Sequence, residues 1–152
     1  MKYKSTNELA TFSFKEAVIA SISANSNTVT LDLDNITILA ANSNNRDIRD
    51  MRANNVVLTF TEASITKLYQ ESYNIYDADN NLKETVPERI IAPEAYGDFF
   101  KSMQQDEEFL IYDIEKISEN SYKISIDGLY DTFVMEVQAT DSTVEWDRFL
   151  SK

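Results

Sequence analysis

Carboxylates and phenols are the side chains of this chain that could do chemistry. It carries 26 aspartates and glutamates and eight tyrosines, but no histidine and no cysteine. Without imidazole it lacks the usual proton carrier near neutral pH, the usual activator of a serine nucleophile and the commonest transition-metal ligand. Without thiol it can form neither a sulfur nucleophile nor a disulfide. Histidine-containing triads and zinc sites built from Cys and His are therefore excluded. The only two glycines, Gly97 and Gly128, cannot write a P-loop or a dinucleotide fingerprint.

Acids working in pairs can cleave glycosides, one donating a proton while the other serves as base or nucleophile. Among so many acids, suggestive spacings arise by chance, and nothing selects a pair. Asp77, Asp79, Asn81 and Glu88 fall at positions one, three, five and twelve of a calcium-loop pattern. Leu82 stands where that loop needs glycine for its sharp turn, and Pro87 disrupts the exit helix, so a polar hairpin tip is the better reading. Asp131 is the candidate for a perturbed acid. Strand alternation puts it on the apolar face, where a carboxylate must be hydrogen-bonded, raised in pKa, or carried out to water by a strand end or bulge. Asp113, Glu115 and Asp127 are the acids that could lie beside it.

The tyrosines form two groups beside acids. Tyr69, Tyr73 and Tyr76 lead into the tip at Asp77 and Asp79, while Tyr112, Asp113 and Tyr130 lie on a C-terminal acidic segment. Tyrosine anchors protein interfaces well, so these eight residues are the candidate partner-binding set. Packing between strands explains such rings equally simply, above all Tyr122, which shares the apolar parity.

The formal charge of −12 sets a negative mean field. It repels phosphate backbones and attracts cationic proteins, although solubility alone also accounts for acidity. The one basic cluster, Arg46, Arg49 and Arg52, is interrupted by Asp47 and Asp50. The partner expected is a basic protein, with no nucleic acid, no membrane and no cofactor. The N-terminus has no apolar core of a signal peptide and no window spans a bilayer, which predicts a cytoplasmic location.

At 152 residues the chain predicts a single domain, 1–152. Ala17–Ser23 and Val29–Leu33 read as a hairpin, with a bulge or turn at Asp34-Asn35. Residues 41–55 read as a long polar loop holding one helical turn around Arg46–Met51. Val56–Phe60 is a strand, and the chain is extended again from Ile65 to Ile75. Asp79-Asn80-Asn81 reverses it into a return strand that Pro87 cuts short. Pro93 opens a helix with Tyr96, Phe99, Phe100 and Met103 on its inner stripe. Phe109–Ile117, Tyr122–Ile126 and Leu129–Val137 read as a meander whose last turn is a two-residue loop at Asp127-Gly128, with glycine at positive φ. Ser142-Thr143-Val144-Glu145 matches a capping box, predicting a terminal helix with Trp146, Phe149 and Leu150 inside.

This order of features, with the Val56-Val57-Leu58-Thr59-Phe60 strand, the meander and the Val144–Phe149 segment, resembles small acidic bacterial proteins of uncharacterised families. Some of these look like immunity partners of polymorphic toxins. The resemblance implies a toxin-neutralising or other protein-binding role and carries over no site residue. The fold expected is α+β, mostly β: an antiparallel twisted sheet or incomplete barrel of about eight or nine strands with two short helices. The function expected is a non-catalytic protein-binding module of immunity or antitoxin type. A small-ligand β-barrel and a carboxylate hydrolase are the alternatives.

Overall fold

The computed structural model describes residues 1–104, 108–129 and 131–151. Alternation dominates it. Val29, Leu31 and Leu33 are buried while Thr30, Asp32 and Asp34 face outward, and Val56, Leu58 and Phe60 repeat the pattern, as a pleated strand with one solvated face requires. Ten strands join in one antiparallel sheet: β1 (Tyr3–Thr6), β15 (Asp141–Trp146), β7 (Val56–Thr61), β4 (Thr28–Asp34) and β3 (Val18–Asn25), then β12 (Leu110–Ser118), β13 (Ser121–Asp127), β14 (Thr132–Gln138), β8 (Ser64–Gln70) and β11 (Arg89–Ile90). The two halves fold over one another without closing into a barrel. Their inner faces meet where Phe60 of β7 packs on Tyr122 of β13, ring centroids 4.9 Å apart.

Three further strands, β2 (Phe12–Ser13), β5 (Ile36–Ile38) and β6 (Met51–Ala53), make a small side sheet. It begins where Asn35, at φ 65°, swings the chain out of β4, the break expected at Asp34-Asn35. β9 (Tyr73–Tyr76) and β10 (Leu82–Val86) pair only with each other and form an arm. Among the described residues one α-helix, α1 (Tyr96–Ser102), follows a 3₁₀ turn at Pro93–Ala95, and another 3₁₀ turn lies at Leu9–Thr11. Phe99 of α1 lies against Phe133 with centroids 4.8 Å apart.

Several expectations are corrected. The segment with the capping-box pattern is β15, not a helix: Ser142, Val144 and Trp146 alternate inward, and that period of two, with strands β1 and β7 on either side, outweighs a four-residue match. Among the described residues one α-helix therefore remains of the two expected. Residues 46–51 hold no helical turn, and the segment they belong to ends in β6. The last turn of the meander is four residues long, since Asp127 pairs with Thr132. Leu129 is consequently exposed, not inward-facing. Gly128 is not at positive φ; it is needed because a Cβ there would lie 3.0 Å from Phe109 Cε1. The strand number also exceeds eight or nine, because pieces of two to four residues such as β1, β2, β5 and β11 are too short to show a period. Among the described residues no helix is long and apolar enough to cross a membrane.

Candidate functional site

The outer face of the C-terminal half is built by register. Ile114, Ile124, Met135 and Leu68 stand in one cross-strand row and point inward; Asp113, Ser125, Val134 and Tyr69 form the adjacent row on the opposite face, in which Val134 is itself fully covered. Beyond it lies a third row, Glu115, Lys123, Glu136 and Lys67, whose charges alternate in sign as neighbouring strands prefer. On the other flank Asp127 pairs with Thr132, whose carbonyl accepts the Glu71 N–H at 2.8 Å.

A groove of about 390 Å³ opens on this face, lined by Glu71, Tyr112, Asp113, Glu115, Lys123, Ser125, Asp127 and Thr132. Four carboxylates thus surround one ammonium. Among the described residues the ion pairs are Arg49–Asp47 and Lys67–Glu88, so none of the groove carboxylates is neutralised by one. Asp127 accepts from the Thr132 hydroxyl, at 3.3 Å. Tyr112 stands at the rim because the register slips between Ile111 and Asp113. That bulge inserts one extra residue and aims two successive side chains outward.

At the far end of the same face Tyr69 is half-buried with Lys67 Nζ 4.3 Å from its ring centre. Burial first, and then the charges of Glu136, Glu88 and Glu71, push the Tyr69 hydroxyl above its ordinary pKa. Comparison with known protein families, curated proteins and solved structures finds no match.

The eight candidate residues therefore divide. Tyr69, Tyr112 and Asp113 share the outer face. Tyr73, Tyr76, Asp77 and Asp79 lie on the arm, which departs from that face just beyond Glu71. Asp77 shapes the arm's tip: its Oδ1 accepts the N–H groups of Asp79 and Asn81, both at 2.9 Å. Tyr130 lies outside the described residues. Asp131 precedes β14 and is half-buried; its Oδ1 accepts from Gln70 Nε2 at 2.9 Å, and Gln70 Oε1 in turn accepts from Arg89 Nη2 at 3.0 Å. A neutral amide, not a second acid, is what Asp131 meets.

Sequence reasoning missed Glu71, and it named Asp113, Glu115 and Asp127 only as alternative neighbours of Asp131, whereas the three line one groove. The signal was present in the alternation of these acids with Ile114 and Ile126, but the groove exists only once β12 and β13 are in register. A second concavity, of about 460 Å³, was missed altogether; Tyr3, Phe149, Met51 and Arg46 line it beside Asn44, Asn45 and Asp47. Among the described residues no three acidic side chains converge closely enough to hold a metal ion. What the outer groove offers is a set of carboxylate acceptors beside an aromatic rim, a surface suited to lysine and arginine side chains.

Proposed function

We propose that this protein is a non-catalytic binding module that occupies a basic protein partner, in the manner of immunity or antitoxin proteins. The observation that carries the reading is the groove itself: Glu71, Asp113, Glu115 and Asp127 ring one cavity whose single cation is Lys123, in a chain of net charge −12. Such a surface steers a cationic partner into encounter and disfavours anionic ones. Tyr112, 54% exposed, supplies the rigid apolar anchor that charge alone does not give. A chain without imidazole or thiol is equipped to act by occlusion.

The test uses the protein encoded next to this one, or another basic candidate. Association is measured from about 0.01 M ionic strength, where screening extends about 30 Å, to about 1 M, where it extends about 3 Å. The expected result is a steep fall in association rate with salt. In the Asp113→Asn, Glu115→Gln, Asp127→Asn variant the low-salt rate drops by about tenfold or more and the salt slope flattens. Binding that is indifferent to both changes rejects the electrostatic reading.

A further inference from the structure

The main sheet is thinnest where its halves join. β12 pairs with β3 at Leu110 and Val18 alone, reinforced by hydrogen bonds from Ile19 N to Phe109 O, Ile111 N to Ala17 O and Glu16 N to Ile111 O. At Glu16 the backbone takes φ 69°, and the residues before it leave: Phe12 and Ser13 pair with Ile38 and Thr37 in the side sheet. β12 nevertheless continues to Ser118, held along one side by β13. Among the described residues its other side has no strand beside it from Asp113 onward.

Concavities flank this bare edge on both sides. The acidic groove takes in Glu115, from the outward row. A notch of about 330 Å³, opened where the chain pulls away, takes in Ile114, from the inward row, against Phe12 and Phe14. Tyr112 and Asp113 line both. Register slips between Ile111 and Asp113 and between Lys116 and Ser118 bracket a regular stretch, Asp113–Lys116. Bulges of this kind end open-ended pairing, so the stretch has room for one short strand.

Charge then selects the occupant. A second copy of this chain, paired antiparallel with Ile114 opposite Ile114, would set Asp113 against the other copy's Glu115 on both sides of the contact. Like charges directly opposite one another destabilise such a pair. A segment with cations at those two positions and an apolar residue between them meets no such conflict.

Resting on the reading that the partner is basic, we infer that the bare edge of β12 at Asp113–Lys116 takes up one extended segment of that partner as an added strand. Cationic side chains of the segment lie over Asp113 and Glu115, and an apolar side chain between them turns toward Ile114 and the notch. Main-chain hydrogen bonds supply attachment and the alternating side chains supply selectivity, as in other strand additions.

The test needs only the intact protein and two peptides. One is a capped eight-residue peptide of alternating lysine and valine. The other is the same peptide N-methylated at its four central residues, which keeps the charge and removes the main-chain donors. The unmodified peptide is expected to bind with salt sensitivity and to slow hydrogen exchange at amides of residues 113–116. N-methylation is expected to weaken binding by about tenfold or more, the loss of one or two hydrogen bonds. Equal, salt-sensitive binding of both peptides without protection at β12 overturns strand addition and leaves the basic-partner reading standing. Absence of salt-sensitive binding by either peptide overturns both.

Discussion

The segment from Ala40 to Asp50 and the arm from Tyr73 to Val86 both leave the main sheet, and both are rich in asparagine and acids. Their side chains are spent differently. In the first, Asn42 is buried and donates to Ser5 Oγ at 3.1 Å and Thr11 Oγ1 at 2.8 Å. Asn45, 8% exposed, donates to the carbonyls of Ile38, Leu39 and Arg49 at 3.1–3.2 Å and accepts the Asp47 N–H at 3.0 Å. Asn44 reaches the Lys4 carbonyl, and Ser43 donates to Glu8. In the arm, Thr85 bonds Asn74, Asn74 bonds Tyr76 and Asp77 bonds its own turn. Those side-chain bonds stay inside the arm. Buried carboxamides that satisfy foreign carbonyls stand in for a regular ladder, whereas a self-satisfied hairpin gains nothing from the body that carries it.

The largest effect is therefore expected at Asn45. Its replacement by alanine removes three hydrogen bonds at a buried site, together with the acceptor of the Asp47 N–H, and should cost about 2–3 kcal/mol, seen as a fall of roughly 5–10 °C in Tm. Asn42→Ala leaves behind hydroxyls that can turn to other partners, so about 1–2 kcal/mol is expected. Asn74→Ala in the arm should change stability by less than about 0.5 kcal/mol. Equal losses at Asn45 and Asn74 would erase the distinction between the two regions.

Much of the sheet was legible because burial follows alternation. The hairpin of β3 and β4, strand β7, the meander, the break at Pro87 and the stripe of α1 each repeat an apolar residue at a fixed spacing. The segment around Asn42 and Asn45 was not, because a buried asparagine and a solvated one have the same letter, and only the carbonyls they meet tell them apart. β15 was misread because Ser142–Glu145 satisfies two local patterns at once and its partners in the sheet, on β1 and β7, are 80 or more residues away in sequence. The site was legible as components. Tyr112 and Asp113 stood out, yet their company with Glu71, Ser125 and Thr132 is a product of register between strands β12, β13 and β14 and the end of β8.

An intermediate effect follows from Glu8, which ties the first region to the body. Hydrogen bonds from the Ser43 hydroxyl, with lesser ones from the Ser43 N–H and the Ser5 hydroxyl, outweigh the opposing effect of partial burial and hold its carboxyl below the ordinary value of 4.5. A carboxylate depressed in the folded state stabilises fully above its unfolded pKa, and that contribution disappears as pH falls through the folded one. Because the group is partly solvated, less than about 1 kcal/mol is at stake. Denaturant titrations at about pH 7 and about pH 3 should differ more for the parent than for Glu8→Gln, with the difference confined to this group. An identical pH response in both proteins would detach Glu8 from the loop's stability.

A small effect on stability is expected for the arm as a whole too. Tyr76 is 53% and Leu82 58% exposed, although they stand opposite each other in its ladder, so more than half of each stays in solvent. Replacing Tyr73–Val86 with a short glycine-asparagine linker shortens one loop, whose closure entropy varies only slowly with length, and should shift stability by less than about 1 kcal/mol. If the arm instead braced Gln70 and Arg89, whose side chains bond at its base, its removal would lower Tm by several degrees and loosen β11 in hydrogen exchange. Were its removal to cost nothing, the half-exposed Tyr76 and Leu82 would be left without a role in stability. Binding of a basic partner should accordingly weaken when the arm is cut while Tm stays where it was, the reverse of what Asn45→Ala should do.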